Sequence, residues 1–317
     1  MKILITGSLG FIGQSLQSYL KTLDYEVFGI DKLQSNQDNF ECIDILDYNK
    51  LFQYLNKIQP DVVVHLAARI DISEDSVTDY SSNIIGVQNL INITENITNI
   101  KRVIWTSSQL VNKLGYIQLN NFNYKSSTSY GESKAIGEML VTTQVQKKEW
   151  IIIRPTNVWG PNMSIHYRNF LSYVKKRKYF HITFGEIFKS YSYVENACFQ
   201  IQKIISAKTI DVNKKTFYLC DYNPIEVKKW VNMFAFNFGV KKPIMLPYAI
   251  SIIIVNVLDI LKKAKILNKV PITKYTFQNI LTQYIIDNKE LHGITGDLPF
   301  DNEEGVKRTS NWFKNLN

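Results

Sequence analysis

The chain predicts an α/β fold, a doubly wound parallel sheet with a smaller mixed α/β cap toward the C-terminus, and three observations carry that expectation. Short apolar runs alternate with helical stretches from Lys2 to Ile153. The first run meets a turn rich in glycine. Beyond Pro161 the alternation gives way to mixed short elements crowded with aromatic and basic residues.

Lys2-Ile3-Leu4-Ile5 reads as a buried strand running into Thr6-Gly7-Ser8-Leu9-Gly10-Phe11-Ile12-Gly13, where glycine recurs at every third residue. Gly7 suits a tight turn, Gly10 lets the main chain approach a pyrophosphate, and Gly13 lets the helix Gln14 to Thr22 press on the strand. The unpaired amides at that helix start face the phosphates. A second strand, Glu26 to Ile30, ends in Asp31 about 20 residues beyond the loop; a carboxylate there suits the ribose hydroxyls of NAD and repels the extra phosphate of NADP.

Phe40 to Ile45 is a third strand, whose Asp44 and Ile45 offer an acceptor and an apolar surface to an adenine. Helix Tyr48 to Gln59 stops at Pro60, since the residue before proline disfavours helix. Asp61 to Ala68 is a buried strand ending in small residues, which leave room for a cofactor at the sheet's carboxyl edge. His65 inside it reads as a packed core histidine. Tyr80 to Thr94 is helical, with Ile84, Ile85, Val87, Leu90 and Ile91 on one side. Arg102 to Ser108 is a strand finishing in hydroxyls, Tyr130 opens a helix continuing through Leu140, and strand Trp150 to Ile153 delivers Arg154 to Pro161. A strand and helix follow at Ser190 to Ser206. The expected division is therefore a dinucleotide-binding domain, 1–160 with 190–213 returning to it, and a substrate-binding cap, 161–189 and 214–317.

Composition narrows the class. With 317 residues and 45% apolar content the chain can fill a sizeable core. Lys plus Arg exceed Asp plus Glu by 37 to 28, yet apart from Lys175-Lys176-Arg177-Lys178 the cations form scattered pairs, which argues against a nucleic-acid face. Cys42, Cys198 and Cys220 form neither a disulfide framework nor a CxxC metal site; no metal is expected. Free thiols and a first strand at residue 2 point to a cytoplasmic protein without a signal peptide. Pro247 to Leu261 is apolar but shorter than the roughly 20 residues of a spanning helix. Asn256 and Asp259 interrupt it, and it reads as a helix that is buried, faces a dimer partner or lies on a membrane surface.

Tyr130 and Lys134 are four apart and share a helix face. The ammonium is expected to lower the phenol's pKa, making a base that takes a substrate hydroxyl's proton while hydride leaves the same carbon. Ser108 would donate a hydrogen bond to that oxygen.

Together Gly7-x-x-Gly10-x-x-Gly13, Asp31, His65-Leu66-Ala67-Ala68, Thr106-Ser107-Ser108, Tyr130-x-x-x-Lys134 and Arg154-Pro155-Thr156-Asn157-Val158-Trp159-Gly160-Pro161 resemble the extended short-chain dehydrogenase/reductase family, in its nucleotide-sugar epimerase/dehydratase branch. The likeness runs from Met1 to about Ala197 and resumes from Leu298 to Trp312. It implies a Rossmann-type sheet and a catalytic triad of Ser108, Tyr130 and Lys134. It implies that NAD touches Gly7, Gly10, Phe11, Ile12, Gly13, Asp31, Lys32, Asp44, Ile45, Leu66, Ala67, Ala68, Ser82, Tyr130, Lys134 and Thr156, with Asn157 reaching the substrate.

Two departures shape the expected reaction. Sugar 4,6-dehydratases carry an Asp-Glu pair after the catalytic hydroxyl, whereas Gln109-Leu110 follow Ser108, which disfavours dehydration. Where sugar epimerases commonly grip the nucleotide diphosphate with arginine, this chain has Lys189, a point charge without the bidentate fork. The expected activity is C4 epimerisation, or keto-sugar reduction, of a nucleotide-activated sugar by an NAD-dependent homodimer. A hydroxysteroid-type dehydrogenase and a non-catalytic dinucleotide sensor are the alternatives.

Overall fold

A computed structural model describes residues 1–72, 76–116, 122–183, 185–267 and 272–316, and it divides into two compact units. The first comprises 1–158, 192–222 and 286–299; the second comprises 159–191, 223–285 and 300–317.

The first unit is built on strands β1 (Lys2–Thr6), β2 (Glu26–Asp31), β3 (Phe40–Cys42), β4 (Val62–His65), β5 (Arg102–Thr106) and β6 (Glu149–Pro155), joined by a seventh, Lys215–Leu219. Their order, from that seventh strand, is β6, β5, β4, β1, β2, β3, with every neighbour parallel. This is the doubly wound arrangement in which the order of strand addition reverses between β1 and β4. Alternation along each strand fills both faces. Leu4, Val63 and Ile152 point into one cluster, with Leu51, Leu55 and Leu90; Ile3, Ile5, Val62, Val64, Ile151 and Ile153 point into the other, with Leu16, Leu20 and Ile201.

Helices α1 (Phe11–Lys21), α2 (Tyr48–Ile58), α3 (Ser81–Thr94) and α4 (Ser129–Gln144) supply most of that cover. Their ends follow local chemistry. The Asp47 side chain accepts from the Lys50 amide to start α2, and Gln59, in the left-handed region at φ 49°, ends it before Pro60. Thr128 caps α4 by accepting from the Gly131 amide.

The seventh strand and the helix Lys289–Thr295 lie in residues expected to belong to the cap. Phe217 and Leu219 of that strand, and Leu291 of the helix, join the second cluster. A five-residue strand pairing with a partner more than 60 residues away carries no local signal of its destination.

The second unit contains helices Ile165–Lys175, Val227–Asn237, Tyr248–Lys263, Lys274–Leu281 and Asn302–Lys314. Two short strand pairs accompany them, Phe180–Thr183 with Ile244–Pro247 and Phe188–Lys189 with Ile225–Glu226. Aromatic rings fill its centre: Trp230 lies 5.3 Å from Trp159, 5.5 Å from Phe170 and 5.0 Å from Phe234, two of these edge to face. Among the described residues no helix is long and apolar enough to cross a membrane.

Candidate active site

The glycine turn is shaped by contact with its own strand neighbours. Gly7 sits at φ +68°, and a Cβ there would lie 2.6 Å from the Ala67 nitrogen; one on Gly13 would lie 2.3 Å from the Gly7 oxygen. A Cβ on Gly10 would meet only that same oxygen, at 3.1 Å, so the turn is open on its outer side. Gly10 also begins α1 without a side-chain cap. The first amides of that helix are thus left for an anion, which fits a dinucleotide's pyrophosphate.

Asp31 closes the turn by accepting from the Leu9 amide at 3.1 Å through one oxygen and from the Leu33 amide through the other. Beside it Lys32 is exposed. Asp44 is exposed, while Ile45 is spent on the core, its side chain filling the space over Gly86 of α3. Phe11, Ile12, Leu66, Ala67, Ala68 and Ser82 are half-buried.

Thr6, at the end of β1, ties the turn to β4: its hydroxyl meets His65 Nδ1 at 2.8 Å and accepts from the Ala67 amide. His65 is buried, and desolvation, with the Lys134 charge adding to it, drives its pKa down to about 3, so the ring is neutral. Asn83 on α3 then clamps the segment after β4. It accepts from the Arg69 amide and donates to the Arg69 oxygen and to Ser133 Oγ on α4.

Ser108, Tyr130 and Lys134 converge. Ser108 begins a short turn, Gln109–Val111, and its hydroxyl accepts from the Leu110 amide at 3.1 Å. That turn packs so closely on the start of α4 that a Cβ on Gly131 would lie 2.0 Å from the Leu110 oxygen. Only glycine permits the approach, which sets the Ser108 hydroxyl close enough to the phenol of Tyr130 to pull its pKa down. One turn on, Lys134 Nζ donates to the Thr106 oxygen at the end of β5, 2.8 Å away.

The electrostatics differ from the sequence expectation. Burial pushes the Tyr130 phenol up to about 12, the Ser108 hydrogen bond pulls against that, and Lys134 is not among the groups acting on it. Lys134 is itself lowered to about 8 by burial, with Glu138 opposing. In the chain alone desolvation outweighs the ammonium that spacing suggested.

Glu138, a further turn along α4, belongs to the same buried face and is not among the residues the sequence motifs single out. It forms a bidentate pair with Arg154 of β6, at 2.8 Å and 2.6 Å, and accepts from the Tyr124 hydroxyl. Arg154 is fully buried; burial opposes its charge, but the Glu138 hydrogen bonds and charge prevail and hold its pKa above the ordinary value. The recurrence of Tyr130, Lys134 and Glu138 at intervals of four was the available signal.

Gln109 donates to the Asn157 side-chain oxygen at 3.2 Å, joining the residue expected to reach substrate to the turn that carries Ser108. Thr156 turns its hydroxyl to the Leu219 oxygen. Lys189 belongs to the second unit, where it is 2% exposed, donates to the Asn279 oxygen and lies 5.5 Å from the Tyr284 ring centre. Burial lowers its pKa to about 8. Among the described residues no cluster of His, Cys, Asp or Glu is arranged to hold a metal.

Residues 3–183 match the model of the NAD dependent epimerase/dehydratase family. The chain is 33% identical over 193 residues to a dTDP-D-glucose 4,6-dehydratase from Dictyostelium discoideum, a match covering 50% of this chain and 44% of that protein. It thus spans about half the length of several curated relatives it matches. It is 26% identical over 319 residues to an N-acetyl-alpha-D-glucosaminyl-diphospho-ditrans,octacis-undecaprenol 4-epimerase from Escherichia coli O157:H7, covering 97% of this chain and 93% of that protein. Among solved structures, the UDP-glucose 4-epimerase of Thermotoga maritima shares the fold with a TM-score of 0.74 at 19% identity, covering 100% of this chain and 99% of the other.

Proposed function

The chain belongs to the NAD dependent epimerase/dehydratase family, and from that premise we propose that it inverts the hydroxyl-bearing C4 of a sugar carried on a diphosphate. The observation that carries this reading is the convergence of Ser108, Tyr130 and Lys134 in the unit that holds the open glycine turn. NAD, when bound, supplies the hydride acceptor and, in its oxidised form, a positive charge.

The phenol of Tyr130 takes the C4 hydroxyl proton as hydride leaves C4, giving a 4-keto sugar; return of hydride to the opposite face, with Tyr130 giving the proton back, yields the epimer. Ser108 holds the substrate oxygen against the phenol, its own hydroxyl oriented by the Leu110 amide. Lys134, one turn along α4 from Tyr130, is anchored on the Thr106 oxygen and brings its ammonium to the end of β5. In the free chain the phenol retains its proton, raised as it is by burial, so basicity develops as positive charge gathers in the site. Asp31 selects NAD by its charge at the ribose.

Gln109 argues against dehydration. Where the dehydratase pattern places an acid, an uncharged amide is committed to Asn157. Asn157 is the proposed substrate contact.

The lipid-linked substrate of the relative matched along nearly the whole chain favours a second carrier for the sugar, a polyprenyl diphosphate in place of a nucleotide. Unfolding the purified protein and weighing the released small molecules tests both carriers. Co-released NAD with conversion of a nucleotide or polyprenyl diphosphate sugar to its C4 epimer is the expected result. Protein that holds no NAD and turns over neither class would overturn the proposal.

A further inference from the structure

The helix Tyr248–Lys263 is turned inside out. Ile250, Ile253, Ile254 and Val257 recur at the spacing that lines one helix face, and all four are exposed, Ile253 by 61%. The helix buries Ser251 and Val255 instead. The adjoining strand Ile244–Pro247 extends the apolar surface with Ile244, 65% exposed, and Met245. Contiguous apolar faces of this kind mark places that meet another phase or another molecule.

The charges around it point to one occupant. From Lys241 to Leu267 the chain carries five lysines, Lys241, Lys242, Lys262, Lys263 and Lys265, against one acid, Asp259. Asp259 is held by Lys263 at 3.2 Å and Lys274 at 3.1 Å, so the rim is positive. A second copy docked face to face would press lysines on lysines. An anionic bilayer matches both parts, headgroups taking the lysines and acyl chains the isoleucines. At 16 residues the helix is about 24 Å long, too short and too polar on its inner side to cross.

We propose that this face is a membrane-surface contact, with the Tyr248–Lys263 helix lying in the headgroup plane of an anionic leaflet. The proposal stands on the second unit alone and goes beyond the reaction assigned above; it would place a membrane-anchored diphosphate sugar within the protein's reach.

Flotation of the full-length protein with phosphatidylcholine vesicles, with and without phosphatidylglycerol, tests it. Binding is expected only when phosphatidylglycerol is present, weakening as salt rises. The double variant Ile253→Asp with Val257→Asp should lose binding while keeping its thermal unfolding midpoint. Lys241→Glu with Lys242→Glu should weaken binding by roughly tenfold or more. Wild-type protein that ignores anionic vesicles, or an aspartate variant that binds as before, would overturn it. So would an aspartate variant whose mass by light scattering falls from dimer to monomer, which would make this face a contact between copies. NAD content and turnover of a soluble nucleotide sugar, measured without vesicles, report separately on the proposed reaction.

Discussion

Helix α2 of the first unit and the Tyr248–Lys263 helix of the second carry the same apolar rhythm and aim it in opposite directions. Leu51, Leu55 and Ile58 of α2 face the sheet, while Lys50, Gln53 and Lys57 stay outside. In the other helix isoleucines are outside and Ser251 is within. Periodicity says which side chains share a face; what lies beneath that face decides whether it is inside. Helix α4 is a third case, since it turns ionisable groups inward and makes them the site.

Changes across these three helices should separate their roles, and the largest effect is expected on α4. Tyr130→Phe keeps the ring's packing and removes the exchangeable proton, so turnover should fall by roughly a hundredfold to ten-thousandfold. Retained NAD in the released small molecules would show that the fold survives. Undiminished turnover would remove Tyr130 from the chemistry.

Glu138→Ala, on the same inward face, strands Arg154 without its carboxylate. Breaking a buried pair costs about 3–5 kcal/mol, read as a lower denaturant midpoint. Leu55→Ala on α2 should cost about 2–5 kcal/mol by opening a cavity in a fully buried position.

Acid should also weaken the first unit. The folded pKa of His65 is depressed to about 3, below the ordinary value of 6.5, so the unfolded chain binds the proton first as pH falls. Its stabilising contribution is full above pH 6.5 and drains away down to about pH 3. At pH 5 the loss is about 2 kcal/mol from this group, and His65→Gln should flatten that limb of stability against pH. The smallest effect is Ile253→Ala on the outward helix, within about 0.5 kcal/mol by thermal unfolding. A loss comparable to that of Leu55→Ala would mean the outward face is packed against protein.

What was legible in the sequence was local. The turn from Gly7 to Gly13, the acid at Asp31 and the shared helix of Tyr130 and Lys134 lie within short spans whose geometry the backbone dictates. What escaped depended on distance through space. Asn83 reaches Arg69 and Ser133, and Glu138 of α4 finds its arginine on strand β6. For the phenol's pKa, spacing supplies a neighbouring charge but not the depth of burial that dominates it. Composition fixes the apolar stripe of the Tyr248–Lys263 helix without fixing which environment it faces.

The first unit's interleaved segments bear on how the protein is made. As the polypeptide leaves the ribosome, β1 to β6 emerge within the first 155 residues, but the strand at the sheet's edge and the helix Lys289–Thr295 follow much later. Until then β6 presents a bare margin of amides and carbonyls, a template for pairing with other nascent chains.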